Sequence, residues 1–319
     1  MKIGLLGSGA MGKRHREAAR ELPQLHMVTR DTPPFNAVSP TDRTALLAAM
    51  LGDPSIQAID ICLPTPLHAP VARAALAAGR HVLCEKPMTL TLEDGSHMIA
   101  AALAADRVLM IAQVLRFFPA YRLLAHMART QPFGPVLSAR FTRESAIPDW
   151  APWLTQPAES GGAVLDLLIH DLDQALVLCG RPTSITAAPL ISPDTLHCQL
   201  DCAGLPVTIE GGWFPDGRPF TMGFDVQFAE ARLSYRATAG KEDRCLLERE
   251  GMDPRPLPLA AANPYREQLL YFVECATQQV PPLECPPEES LAAVELALTV
   301  RELARSTPGV CALYSSATR

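Results

Sequence analysis

The chain has 319 residues, about two domains at roughly 150 residues each, and 48% of them are hydrophobic, enough for two buried cores. Its net charge is −6 and its 28 basic residues are scattered rather than grouped, which disfavours a nucleic-acid partner because phosphate binding needs clustered Lys and Arg. No apolar run reaches membrane-spanning length, so no membrane partner is expected.

The opening Lys2-Ile3-Gly4-Leu5-Leu6 is strand-like rather than a basic segment leading into a signal-type apolar stretch, and a cytoplasmic location is the expectation. Nine cysteines, an odd number without a C-x-x-C pair, are expected to be reduced. His197, Cys198 and Cys202 lie on an alternating strand pattern with no second ligand pair at zinc-site spacing, so no metal is expected.

After the first strand comes Gly7-Ser8-Gly9-Ala10-Met11-Gly12, leading into a helix with Met11, His15, Ala19 and Leu22 on one side. In a strand, glycine turn, helix unit the first glycine permits the turn, the second lets backbone approach a pyrophosphate, and the third lets helix sit close to strand. The helix N-terminus then meets the phosphates with free N–H groups. A Walker A reading fails because Arg14 stands where the magnesium-binding Ser or Thr belongs.

The second strand, Leu25 to Thr29, ends at Arg30-Asp31. Asp31 suits the ribose hydroxyls of NAD and Arg30 the 2′-phosphate of NADP, so either dinucleotide fits and the sequence leaves the choice open. The proline-bearing stretch from Thr32 to Val38 has little room for a helix, and Ser39-Pro40-Thr41-Asp42 then starts one. Ala58 to Leu63 is a buried strand whose C-terminal loop carries Pro64, Thr65 and His68, at the sheet edge where open α/β sheets bind ligands. Strand His81 to Cys84 delivers Glu85, Lys86 and Pro87 to the same edge, and helix Leu92 to Ala105 and strand Val108 to Gln113 complete a parallel sheet wrapped on both faces.

Beyond Leu115-Arg116-Phe117-Phe118-Pro119, a helix from Ala120 to Arg129 and a strand from Val136 to Arg143 open a second domain. The loop Ile147 to Trp153 holds Trp150 and Trp153, which as a lid would stack on sugar C–H faces and as anchors would pack a loop or subunit contact; both readings stay open. Gly161 to Asp173 is expected to be one helix, closed at Gly180, with Asp166, His170 and Asp173 at i, i+4 and i+7 on one face. Burying such a trio without a task costs roughly 2–7 kcal/mol per unpaired polar group, although a core histidine held by its helix neighbours is the plainer reading. Alternating strands follow from Ser184 to Glu248, then two closing helices, Pro264 to Gln278 and Glu288 to Arg305.

Taken together, the Gly7 to Gly12 turn with His15 after it, the Pro64 to His68 loop, Cys84-Glu85-Lys86-Pro87 and Asp166-x-x-x-His170-x-x-Asp173 make the chain resemble the Gfo/Idh/MocA family of NAD(P)-dependent oxidoreductases. The resemblance implies an N-terminal Rossmann domain over residues 1–116 and an α+β domain on an open, mostly antiparallel sheet over 117–319, whose free sheet face serves a homodimer or homotetramer. It implies Lys86, Asp166 and His170 as catalytic residues and Asp173 as an acid near the substrate. Gly7, Gly9, Ala10, Met11, Gly12, Arg30, Asp31, Pro64, Thr65, His68, Glu85 and Lys86 are expected at the NAD or NADP site, and Arg116, Trp153 and Asp173 at a sugar or polyol.

The chemistry expected is hydride transfer between a secondary alcohol and the nicotinamide. An imidazole, titrating at roughly 6.5, suits His170 to take the hydroxyl proton; Asp166 holds the ring, and Lys86 donates to the carbinol oxygen. Three alternatives stay open: an NAD-dependent glycoside hydrolase, a non-catalytic dinucleotide sensor, and a dehydrogenase of an imine or aromatic dihydrodiol in which Arg116 or Arg143 meets a carboxylate.

Overall fold

Short apolar runs build the first sheet, since a strand covered on both faces needs no polar side. In the computed structural model, which describes residues 1–29, 40–187, 194–306 and 310–312, these runs are β1 (Lys2–Leu6), β2 (His26–Thr29), β3 (Ala58–Ile61), β4 (His81–Glu85) and β5 (Leu109–Ala112). They pair in parallel in the order β2-β1-β3-β4-β5, and every residue of β3, β4 and β5 is buried. The connecting helices are α1 (Ala10–Arg20), α2 (Pro40–Leu51), α3 (His68–Ala77) and α4 (Leu92–Ala105). Because β1, β3 and β4 are neighbours with Leu6 opposite Ile61 and Ile61 opposite Cys84, the glycine turn, the Pro64 loop and Glu85-Lys86 leave the sheet side by side. Arg30, Asp31 and the segment from Thr32 to Ser39 lie outside the described residues.

Met1–Phe117 and Ala262–Val294 form one compact unit. Its first boundary falls one residue from the expected one, but α9 (Pro264–Gln278) belongs here rather than with the following domain. The reason is its apolar face: Leu269, Phe272, Val273, Cys275 and Ala276 are buried in one cluster with Ile3, Leu22, Ala58 and Phe117. Asn263 caps this helix, its side-chain oxygen accepting from the N–H groups of Tyr265 and Arg266.

Phe118–Ala261 with Glu295–Arg319 form the other unit. It contains α5 (Pro119–Thr130), α6 (Pro157–Ser160), α7 (Gly162–Asp166) and α8 (Ile169–Cys179), and part of α10 (Pro287–Arg305). Its strands are β6 (Val136–Ala146), β7 (Ser184–Ala187), β8 (Thr195–Cys202), β9 (Leu205–Phe214), β10 (Thr221–Phe228), β11 (Arg232–Thr238), β12 (Arg244–Glu248), β13 (Arg255–Pro256) and β14 (Val310–Ala312). Among the described residues they form one sheet in the order β13-β12-β11-β10-β6-β9-β8-β7-β14. All pairs are antiparallel except β6 with β9, which run parallel. Alternation in β8 exposes His197, Gln199 and Asp201 and buries Leu196, Cys198 and Leu200, so His197 and Cys198 point to opposite faces. The expectation that every cysteine is reduced is corrected at one pair: Cys179, ending α8, and Cys202, ending β8, form a disulfide with Cα atoms 5.9 Å apart. Sequence spacing could not show this, because the pair joins the ends of two elements 23 residues apart. Among the described residues no helix is long and apolar enough to cross a membrane.

The expected single helix from Gly161 to Gly180 is two. Ala163 O accepts from both Leu167 N and Leu168 N at 2.9 Å, widening the turn, and α8 restarts with Asp171 N and Leu172 N on Leu168 O. Helix α8 is then clamped to β6: Arg143 Nε donates to Asp171 Oδ2 at 2.6 Å and Nη2 to Oδ1 at 3.3 Å. Both side chains are buried, and although burial opposes the Arg143 charge, Asp171 together with Tyr121 outweighs it and raises the guanidinium pKa. Removing one member leaves the other charge buried alone, so Arg143→Met is expected to lower unfolding stability by about 3–5 kcal/mol in urea titrations. Arg143→Met/Asp171→Leu, which removes both charges, is expected to recover most of that loss.

Candidate active site

In the first unit the three glycines of the turn divide their tasks. A Cβ on Gly7 would sit 2.2 Å from Cys62 O, and one on Gly12 would sit 1.8 Å from Gly7 O, so both are required for the turn and helix to close on the sheet. A Cβ on Gly9 would meet nothing within 4 Å. Gly9 is exposed and forms the N-cap of α1 without a side-chain hydrogen bond, so no capping side chain covers the start of the helix. That is the geometry a pyrophosphate needs: bare backbone, an uncapped helix start and room that a side chain would fill. Ala10 is exposed and Met11 half-buried in the same turn, and the residues present fit a dinucleotide.

Directly beneath the turn, His15 on α1 is buried between two carboxylates. Its Nδ1 lies 2.9 Å from Asp60 Oδ2 on β3, and its Nε2 lies 3.1 Å from Glu85 Oε1 on β4. The other Glu85 oxygen accepts from Lys86 N at 3.1 Å, so the chain that presents the half-buried Lys86 is tied to α1 through one imidazole. Cys62 Sγ lies 3.5 Å from His15 Nδ1, and burial pushes its thiol up strongly, leaving it unreactive. Glu85 was expected at the cofactor; both of its carboxylate oxygens lie in this cluster. Asp60 escaped sequence reasoning, though an acid in the buried run Ala58-Ile59-Asp60-Ile61 was the signal to follow.

His68, also expected at the cofactor, has its ring nitrogens 2.8 Å from Leu63 O and 2.9 Å from Pro87 O. Its ring lies between the Pro64 loop and the residue after Lys86 and, with burial lowering its pKa, donates to one of the two carbonyls. Thr65 is buried and Pro64 half-buried in that loop. Arg116 is nearly buried, its Nη1 donating to Glu284 O at 3.1 Å and to a Glu289 carboxylate oxygen, so this nitrogen braces its own unit. A cavity of about 310 Å³ elsewhere in this unit, lined by Ile99, Leu103, Val108, Val280 and Leu283 among others, contains none of the expected site residues.

In the second unit Asp166 ends α7 and His170 is the second residue of α8, on either side of the break. Both are half-buried, whereas Val164, Leu165, Leu168, Ile169, Asp171 and Leu172 around them are buried. Asp173 is one turn beyond His170 on the same helix and is 1% exposed. Arg143, weighed as a carboxylate ligand, is committed to Asp171. Trp153 is partly buried and packs against the small cluster of Leu154, Ala163 and Trp213, while Trp150 is 65% exposed.

Comparisons with known proteins agree with this division. Residues 1–113 match the model of an oxidoreductase family with an NAD-binding Rossmann fold, and residues 121–233 match a GFO/IDH/MocA C-terminal domain. A 1,5-anhydro-D-fructose reductase of Ensifer adhaerens is 30% identical over 70% of this chain and 70% of its own length. A levoglucosan dehydrogenase of Pseudarthrobacter phenanthrenivorans is 30% identical over 68% of this chain and 61% of its own. The fold matches that of an aldose-aldose oxidoreductase from Caulobacter crescentus, solved with glycerol, at 22% identity and a TM-score of 0.79 over 98% of this chain and 99% of that one. With both of its halves matched and relatives aligned across two thirds of its length, the chain belongs to the Gfo/Idh/MocA family of oxidoreductases.

Proposed function

We propose that the protein reversibly oxidises a secondary alcohol of a sugar or cyclitol, using NAD or NADP. The observation that carries this reading is the bare Gly9 turn with a lysine tethered through Glu85 in the same unit; by itself, the other unit offers a half-buried Asp166 and His170 on otherwise buried helices. The printed activities of two relatives, acting on levoglucosan and on 1,5-anhydro-D-fructose, support a sugar-like substrate.

Bound dinucleotide supplies the hydride acceptor. Gly7, Gly9, Ala10, Met11 and Gly12 hold its pyrophosphate by backbone, with Pro64 and Thr65 bordering it from the next strand. His170 takes the hydroxyl proton as the carbinol carbon is oxidised and returns it in reverse. Asp166 orients the imidazole and favours its charged form, and Lys86 donates a hydrogen bond to the substrate oxygen, where negative charge develops. Asp173 and Trp153 border the substrate in this reading, while one guanidinium nitrogen of Arg116 is held by Glu284 and Glu289. We take the protein to act in the cytoplasm as a homodimer or homotetramer. The exposed face of the large sheet, with Arg140 on Glu210 and Arg232 on Asp225 and Glu248, suits a polar subunit contact.

The test is NAD and NADP titrated side by side, then a sugar and polyol screen followed at 340 nm. Net NADH or NADPH formation supports dehydrogenation; glycoside cleavage without net reduction would replace it with a hydrolase. His170→Ala is expected to lower turnover about 10²–10⁴-fold with dinucleotide affinity nearly unchanged, and turnover at the wild-type rate would require a different base. Gly9→Val is expected to abolish dinucleotide binding while leaving the fold intact, because its side chain enters space that only a ligand needs.

A further inference from the structure

The buried cluster under the glycine turn contains more charge than the mechanism uses. We propose that His15 is a positioning residue that carries a proton on both ring nitrogens in the working protein, and so locks Asp60, Glu85 and the backbone of Lys86 to the helix that starts the phosphate cradle. The proposal rests on the functional reading above for the tasks of the glycine turn and of Lys86.

The geometry argues for the second proton. A neutral imidazole has one N–H and one lone pair. Nδ1 is hydrogen-bonded to Asp60 Oδ2 at 2.9 Å, and Nε2, 3.1 Å from Glu85 Oε1 without an aligned hydrogen bond, is within ion-pair reach of a second carboxylate, so only a charged ring is attracted to both in a dry interior. The doubly protonated ring donates to Asp60 and pairs its charge with Glu85. Burial opposes its charge, but the charge and hydrogen bond of Asp60, together with Cys62, hold the His15 pKa well above the ordinary value. Burial likewise pushes Glu85 up, and the hydrogen bond and charge of His15, with Lys86, bring it below its ordinary value.

The groups facing the ring from each packed element fit this assignment. Asp60 and Cys62 come from β3, Glu85 from β4, and the Tyr265 ring of α9 stands 6.3 Å away, with Arg14 over its far side at 5.4 Å. Cys62 stays a thiol and adds no charge. Two cations, His15 and Lys86, then balance two carboxylates, Asp60 and Glu85. Loss of the His15 proton would leave the carboxylates in excess below a loop that receives phosphates, and would free Glu85 to drag Lys86 out of place.

The stability consequence has a definite sign. A raised folded pKa means the contribution of His15 is complete below about pH 6.5 and is lost as pH rises through the folded value. Wild-type urea midpoints should therefore fall on an alkaline limb that His15→Gln lacks.

The decisive experiment combines nitrogen-15 NMR of the His15 ring in the full chain at pH 8 with NADH and NADPH fluorescence titrations of wild type, His15→Gln and His15→Gln/Glu85→Gln. The expected result is two protonated ring nitrogens at pH 8, dinucleotide binding at least tenfold weaker in the single variant, and affinity largely recovered in the double variant, where charge balance returns. A ring with one bare nitrogen at pH 8, or a His15→Gln protein that binds and turns over as wild type does, overturns the proposal. Should the single variant fail to fold, the ring spectrum of the wild type still decides. Wild type that binds neither dinucleotide would instead overturn the functional reading, by a measurement separate from the ring spectrum.

Discussion

An imidazole held between two carboxylates, out of reach of water, is the constraint on which the first unit turns. Three charged groups in such a place are costly unless each finds a partner, and here each does. Since the partners come from α1, β3 and β4, satisfying them fixes the helix of the glycine turn against the two strands that lead to the Pro64 loop and to Lys86. The His68 ring lies between those loops, beside the carbonyls of Leu63 and Pro87. The open room in front of Gly9 is useful only because everything behind it is held.

The second unit uses charge in the same manner. Arg143 and Asp171 are buried together and contribute little net stability as a pair, but they allow α8 one seating on β6. Asp171 follows His170 directly, so the seating of the pair is also the seating of the imidazole. The widened turn at Leu167 and Leu168 separates Asp166 from the regular helix and sets it at the end of α7. In both units the ion pairs act on the elements that present Lys86 and His170, while those two side chains remain half-buried.

Much of this was legible in the residues. Strand, glycine turn and helix at the N-terminus, the edge position of Lys86 and the spacing of Asp166, His170 and Asp173 all follow from local periodicity, and local periodicity survives folding. The break after Asp166 was not, because Leu167, Leu168 and Ile169 keep an apolar helical pattern through it. Nor were the partners of His15, since Asp60 and Glu85 reach it from other strands, nor the placement of α9, whose apolar face fits either domain until the sheet is assembled. Glu85 and His68 were expected at the cofactor from their place at the sheet edge, Arg116 at the substrate, and Arg143 only as a carboxylate partner in one alternative. Their folded partners are protein atoms, and only three-dimensional packing tells the two cases apart.

The rims of the large sheet have a bearing on how the molecule behaves in a crowded solution. Among the described residues, one rim strand is two residues long and ends in Pro256, which has no amide proton to offer, and the opposite rim strand is three residues long. Truncated, proline-blunted margins give a neighbouring polypeptide little to hydrogen-bond against, so lateral growth into β-aggregates is discouraged. Such a sheet tolerates a broad hydrophilic flank without the hazard of open-ended polymerisation.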